Sequence, residues 1–167
     1  MSERGLVLDA VVIGGTALGL LDVVSRQTRD CDILHPQLPP EINAAARELA
    51  ILRRQQGDTL QDEWLNNGPS SLSDVLPAGW MQRLQLAYEG DAVTLRSLGR
   101  LDLLRSKLFV LCDRGTDLAD CLALAPTVAE LVEIAPWLEA QDINPDWRPA
   151  HTRATLDDLR RRLGHGV

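Results

Sequence analysis

Aromatic side chains are scarce in this chain, and long apolar runs are absent. Only 4% of the 167 residues are aromatic, so the core must be built mainly from Leu, Val, Ala and Ile. No apolar run approaches the roughly 20 residues that span a bilayer. No basic segment followed by a long apolar stretch resembles a signal peptide. These absences predict a cytoplasmic globular protein that does not bind membranes.

Cysteine is also sparse, and its pattern excludes a disulfide-rich scaffold. Cys31, Cys112 and Cys121 make an odd count and show no C-x₂-C spacing, so free thiols in a reducing compartment are expected. The formal net charge of −7 disfavours non-specific binding to nucleic acid, because the phosphates would be repelled. With 45% hydrophobic and 25% charged residues, the composition is that of an ordinary globular domain.

The apolar segments predict strands early in the chain and helices later. Strands are predicted over residues 6–13, 31–34, 63–66, 81–88 and 93–98. Helices are predicted over residues 16–24, 41–56, 102–111, 117–124, 126–141 and 149–163, with a loop over 68–77. We therefore expect a single α/β (α+β) domain over 1–167. Its small mixed sheet would occupy about 1–98, with helices around it, and about 99–167 would be mostly helical.

The most informative stretch is residues 11–34, where a glycine turn precedes two closely spaced acids. Gly14, Gly15 and Thr16 follow an apolar run, and Asp30 and Asp32 flank a single residue. On a strand, residues i and i+2 point to the same face, so the two carboxylates are expected side by side. Such a pair persists where a cation or a shared proton compensates the repulsion. Mg²⁺ binds through one or two carboxylates plus substrate phosphates, and a glycine turn offers N–H groups to an anion. The stretch thus predicts a nucleotide site.

Two motifs resemble a known superfamily. The Gly-Gly-Thr turn followed by Arg-x-Thr-x-Asp-x-Asp, ending at Asp32, resembles the minimal nucleotidyltransferase fold of the polymerase-β-like superfamily. The Lys…Arg…Asp-x-x-Asp segment between Lys107 and Asp120 resembles the AbiEii-like branch, which comprises toxin nucleotidyltransferases of bacterial toxin–antitoxin systems, and its uncharacterised relatives. Residues 64–77 and 124–137 also look like those relatives, so the resemblance covers roughly residues 12–137.

The resemblance implies an activity and a set of site residues. The activity is transfer of a nucleoside monophosphate from a nucleoside triphosphate such as ATP, dependent on Mg²⁺ (or Mn²⁺), to a hydroxyl on a protein, an RNA or a small molecule. The resemblance implies four catalytic residues: Asp30, Asp32, Lys107 and Asp120. Of these, Asp30 and Asp32 are also the implied metal ligands. The residues implied to bind the nucleotide are Gly14, Gly15, Thr16, Arg26 and Thr28.

The chain departs from the superfamily at one position. Active members usually place a third acid on a later strand, and residues 93–98, the matching segment, contain none. Asp91 lies only at the start of that segment. The alternative function is therefore a binding or regulatory module with reduced catalysis, such as one component of a toxin–antitoxin or defence pair with a protein partner.

Structural explanations remain for each motif. Gly14 and Gly15 suit any tight strand-to-helix turn, and Asp30 and Asp32 could be solvent-facing acids on an edge strand. Lys107, the only lysine beside sixteen arginines, lies in an apolar helix and could extend its ammonium to solvent. If it instead serves the phosphates, Lys107→Met should leave stability almost unchanged, because the aliphatic packing survives.

Overall fold

A five-stranded mixed sheet forms the centre of Met1–Gly99, the first of the two units into which the chain divides. The computed structural model describes residues 5–141 and 149–166. The strands are β1 (Leu8–Ile13), β2 (Cys31–His35), β3 (Leu65–Asn66), β4 (Gln85–Glu89) and β5 (Val93–Ser97). Their order is β3-β2-β1-β5-β4, with β1 parallel to β5 and antiparallel to β2. The predicted mixed α/β class is confirmed.

Six α-helices accompany the sheet within the described residues. The first unit contains α1 (Gly14–Leu20) and α2 (Pro40–Gln55). The second unit, Arg100–Val167, contains α3 (Arg100–Arg114), α4 (Leu118–Leu124), α5 (Val128–Glu139) and α6 (Pro149–Arg162). No helix in the described part of the chain combines the length and the apolar character needed to cross a bilayer.

The spacing of apolar residues along β1, β2 and α2 explains which side chains form the core of the first unit. Val12 of β1 lies opposite Ile33 of β2, and both side chains are fully buried. In α2, Ile42, Ala46 and Ala50 recur every four residues and are all buried, so one face of this helix is covered.

Two polar side chains tie the segment after β2 to the segment around β3. The indole of Trp64 donates a hydrogen bond to the Ala46 carbonyl of α2 at 3.0 Å. The amide of Asn67 donates to the carbonyls of Ile33 and Pro36, and its oxygen accepts from the Leu38 N–H at 2.7 Å. The bonds to Pro36 and Leu38 satisfy backbone groups of the loop between β2 and α2, and those to Ile33 and Ala46 attach the segment around β3 to β2 and α2.

One of the two edge strands of the sheet is β4, which exposes two large apolar side chains. Leu86 and Tyr88 are about half exposed. The pairing of β4 with β5 changes register between these two residues, which is the signature of a β-bulge.

Leucine and isoleucine build the core of the second unit. The helix α5 buries Leu131, Ile134 and Leu138, and α6 buries Leu156 and Leu159. The start of α5 is a capping box: Thr127 accepts from the Glu130 N–H, and the Glu130 carboxylate accepts from the Thr127 N–H.

Several predicted boundaries were wrong for local reasons. The first helix begins at Gly14 and ends at Leu20 instead of residue 24, because Asp22 adopts a left-handed φ of 55° that a helix cannot accommodate. The strand expected over 81–88 begins only at Gln85, since a 3₁₀ turn occupies Trp80–Arg83. The weak strand expected over 63–66 is only two residues long.

Glu130 yields a prediction on the pH dependence of stability. Hydrogen bonds from Arg100, and then from the Thr127 backbone and hydroxyl, lower the pKa of Glu130 to about 2 from its ordinary 4.5. A depressed pKa stabilises the fold above the ordinary value, and the contribution is lost as pH falls through the folded-state value. We therefore expect Glu130→Gln, which keeps the capping geometry, to lower the free energy of unfolding at neutral pH. The difference from wild type should shrink between pH 4.5 and about 2.

Chemical denaturation across this pH range measures the effect. Glu133→Gln on the same helix is the matched control, because its carboxylate is mostly exposed and lies 3.6 Å from the nearest guanidinium nitrogen of Arg105. A Glu130→Gln deficit that stays constant down to pH 2 would contradict the assigned ion pair.

Candidate functional site

The turn that follows β1 lies directly against the carboxylate of Asp32. Ile13 at the end of β1 pairs with Asp32 of β2, which places the next residue, Gly14, beside this acid. Gly14 has a φ of +68°, and a Cβ built on it would lie 2.9 Å from Asp32 Oδ2. Both the backbone conformation and the space therefore require glycine here.

The other predicted nucleotide-site residues surround the second carboxylate. A Cβ on Gly15 would lie 3.1 Å from Thr28 Oγ1 and 3.9 Å from a guanidinium nitrogen of Arg26. Thr28 Oγ1 donates to Asp30 Oδ1 at 3.0 Å, and Thr16 Oγ1 donates to the Asp30 carbonyl at 2.8 Å. The structure thus brings together the residues that we call the acid cradle: Gly14, Gly15, Thr16, Arg26, Thr28, Asp30 and Asp32.

The acids of the cradle do not lie on an edge strand. Asp30 immediately precedes β2 and is exposed, whereas Asp32 is half-buried within β2. At Asp32 the strand is flanked by β1 on one side and by β3 on the other. The edge-strand interpretation of this pair is therefore wrong.

Asn66 belongs to the site, although no sequence motif selects it. Its Nδ2 donates to Asp32 Oδ1 at 3.1 Å, and its Oδ1 accepts from the Gly68 N–H at 2.7 Å. The second bond sets the orientation of the amide, because only the carbonyl oxygen can accept from Gly68. Asp32 therefore has one oxygen beside Gly14 and the other held by Asn66 on the neighbouring strand.

Within residues 5–141 and 149–166, no group of three or more His, Cys, Asp or Glu side chains is arranged to hold a metal ion. On β5, the segment without an acid, Arg96 instead pairs with Asp9 of β1 at 3.2 Å. The carboxylates available at the cradle are therefore those of Asp30 and Asp32.

Cys31 lies between the two acids, and its burial disfavours the thiolate form. Burial raises the pKa of its thiol to about 11, and the neighbouring carboxylates act in the same direction. Because the thiolate is the reactive species, a thiol with this pKa is unreactive at neutral pH.

Lys107 and Asp120 form a buried ionic cluster in the second unit. Lys107 Nζ lies 2.7 Å from Asp120 Oδ2 and 2.8 Å from Asp117 Oδ2. Lys107 is only 4% exposed and Asp120 only 2%, so the interpretation of Lys107 as a solvent-seeking side chain is wrong. Burial alone would lower the pKa of Lys107, but the hydrogen bonds to Asp117 and Asp120 outweigh it and leave the pKa raised. The catalytic roles expected for Lys107 and Asp120 stay predictions.

A family model matches most of the chain. Residues 1–134 match the family described as "Nucleotidyltransferase of unknown function (DUF6036)". No curated protein and no solved structure matches the chain.

The contact between Gly14 and Asp32 yields a prediction on stability. Gly14→Ala should lower the free energy of unfolding by about 2 kcal/mol, since a left-handed φ costs an L-residue roughly 1–2 kcal/mol and the methyl group meets Asp32 Oδ2. In an Asp32→Ala background the same substitution should cost less, because only the backbone term remains.

Urea unfolding of the four proteins in this cycle measures the coupling. Gly19→Ala is the matched control: it lies in α1 with no atom within 4 Å of its Cβ position, and alanine favours a helix. A cost for Gly14→Ala that is equal in both backgrounds would disprove the close approach.

The ionic cluster revises the expectation for Lys107→Met. The sequence predicted that Lys107→Met would leave the stability of the protein almost unchanged. The structure contradicts this prediction, because the substitution leaves the buried Asp120 without its ammonium partner. Loss of one member of a buried ion pair costs about 3–5 kcal/mol, and we expect about 3 here because Asp117 is partly exposed. The raised pKa means that this stabilisation persists up to the ordinary lysine pKa of 10.5 and is lost as pH rises further.

Thermal and urea unfolding test this value. Adding Asp120→Asn to Lys107→Met should recover part of the loss, since the uncompensated charge is removed. Arg161→Met serves as a control, because Arg161 is an exposed partner of Asp158 and should contribute little. If Lys107→Met is as stable as wild type, the cluster is not a structural element.

Proposed function

The chain belongs to this nucleotidyltransferase family, and we propose that the acid cradle binds a nucleoside triphosphate with Mg²⁺ (or Mn²⁺). The activity proposed is transfer of the nucleoside monophosphate to a hydroxyl acceptor. The observation that carries the proposal is the convergence of the glycine turn with both acids. Asp32 Oδ2 adjoins Gly14, while Thr28 contacts Gly15 and holds Asp30.

The carboxylates of the cradle suit a hard divalent cation. Mg²⁺ is commonly held by one or two carboxylates together with substrate phosphates and water, so two acids suffice when the nucleotide supplies the remaining oxygens. Asp30 is exposed, and its Oδ2 has no hydrogen-bond partner among the described residues. The metal ligands would thus be Asp30 and Asp32, and the bound ion would neutralise the phosphates and polarise the α-phosphoryl group.

The residues of the cradle mainly position the reactants. Asn66 fixes one oxygen of Asp32, and Thr28 orients Asp30, so both carboxylates are held before nucleotide arrives. The glycines let the triphosphate approach the backbone. The acceptor oxygen forms a bond to the α-phosphorus, the bond from that phosphorus to the β-phosphate oxygen breaks, and pyrophosphate leaves. The hydroxyl proton passes to a carboxylate of the pair or to water.

One observation favours a second candidate function. The superfamily usually has a third acid on the strand that corresponds to β5. In this chain the charged residue of β5 is Arg96, which pairs with Asp9. A cradle with two carboxylates could retain nucleotide binding while transfer is slow or lost. The chain would then act as a binding or regulatory module, as a component of a toxin–antitoxin or defence pair. Membership of the AbiEii-like branch would fit either function and is likewise a proposal.

The proposal predicts metal-dependent binding of nucleotide. ATP with Mg²⁺ should raise the melting temperature of the protein, because a ligand that binds only the folded state stabilises it. The double substitution Asp30→Asn with Asp32→Asn should abolish the shift without unfolding the protein, since it relieves like-charge repulsion. Asp9→Asn is the matched control, because this carboxylate lies on β1 and pairs with Arg96 outside the cradle.

Differential scanning fluorimetry with each nucleoside triphosphate, with and without Mg²⁺ or Mn²⁺, measures these shifts. If no nucleotide shifts the wild-type protein at millimolar Mg²⁺, the proposed function is wrong. With binding established, ATP labelled at the α-phosphate separates the two candidates: release of unlabelled pyrophosphate with labelled product supports transfer, and binding without product supports the module.

A further inference from the structure

A polar cavity of about 230 Å³ adjoins the acid cradle within the first unit. Its walls come from the loop before α2, from α2, from the turn before β3 and from β3 with the residue that follows it. The residues that matter here are Gln37, Asn43, Arg47, Glu63 and Asn66. Asn66 is shared with the site already described, because the same side chain lines the cavity and donates to Asp32 Oδ1.

The position of Asp32 separates this cavity from the glycine turn. The strand β2 lies between β1 and β3. Asp32 Oδ2 faces the Gly14 turn at the end of β1, whereas its Oδ1 faces Asn66 on β3. A phosphate bound at the turn and a molecule bound in the cavity would therefore approach the same carboxylate from opposite sides. Transfer requires the reacting atoms to come within roughly 3–3.5 Å of each other, so the acceptor hydroxyl would have to reach the phosphate along this shared carboxylate.

The charges of the cavity wall select the chemistry of its ligand. Arg47 and Glu63 form no ion pair with any residue in the described ranges, so one cation and one anion are available to a ligand. The other acid of the wall, Asp62, is neutralised by Arg54 at 2.6 Å. The remaining lining is mainly amide groups, which can both donate and accept hydrogen bonds.

The size of the cavity limits the ligand. Sites for drug-sized ligands usually measure about 300–1,000 Å³, so a volume of about 230 Å³ fits a smaller molecule. A small polar molecule with one positive and one negative group matches both the volume and the charges of Arg47 and Glu63.

We infer that this cavity is the acceptor subsite and that it takes a small zwitterion bearing a hydroxyl group. The inference rests on the proposed function, because it supplies the acceptor for that reaction. Arg47 binds the anionic group, Glu63 binds the ammonium group, and the hydroxyl faces the side of the cavity at Asn66 and Asp32.

Four small hydroxyl compounds of differing charge test the ligand class by equilibrium binding. L-serine carries both charges, glycerate only the negative one, ethanolamine only the positive one, and glycerol neither. At equal millimolar concentration and ionic strength, L-serine should give the largest rise in melting temperature of the full chain. Arg47→Gln should weaken L-serine binding about tenfold or more, and Glu63→Gln should remove the advantage of L-serine over glycerate.

Arg53→Gln is the matched control on the same helix, because its guanidinium pairs with Asp58 and does not line the cavity. It should bind L-serine as wild type does. An L-serine shift no larger than that of glycerol, or one that survives Arg47→Gln, overturns the inference.

A parallel titration with ATP and Mg²⁺ distinguishes the two proposals. Arg47→Gln should keep the ATP shift, since Arg47 lies outside the cradle. An ATP shift without an L-serine shift overturns the acceptor inference and leaves the proposed function intact. An L-serine shift without an ATP shift overturns the proposed function, and with it the role of the cavity as an acceptor subsite.

Discussion

The contact between the Asp32 carboxylate and the Gly14 turn is the constraint on which the geometry of the first unit depends. A side chain at Gly14 would push β1 and β2 apart at the point where they pair. The displacement would reach Asp30 as well, because Thr16 in the same turn holds its carbonyl. Glycine is therefore needed here both for its left-handed φ and for the space beside the Asp32 carboxylate.

Features encoded by neighbouring residues could be predicted, and those that depend on distant contacts could not. The glycine turn, the strand before it and the strand that carries Asp32 all lie within residues 8–35, where alternation and motif spacing carry the information. Asn66 is 34 residues from Asp32 and lies on a two-residue strand, which is too short for any periodic signal. Lys107 lies in an apolar helix whose pattern shows burial but not the acids that compensate its charge.

Two consecutive asparagines connect the acids to the helix that forms part of the cavity wall. The side chain of Asn66 is bonded to Asp32, and that of Asn67 is bonded to the loop that leads into α2. Because these residues are adjacent, the position of the carboxylate and the start of α2 are set by one short piece of backbone. Arg47 on α2 is therefore held at a defined distance from the cradle without any direct bond between them.

The irregular pairing at the free edge of the sheet has a consequence for solubility. An edge strand exposes unpaired N–H and C=O groups, and Leu86 and Tyr88 add apolar surface to β4. A flat edge of this composition would recruit the strands of other chains and nucleate aggregates. The register change between these two residues twists the edge and interrupts the regular row of backbone groups that an incoming strand must match. The bulge thus makes β4 a less regular template for the addition of another strand.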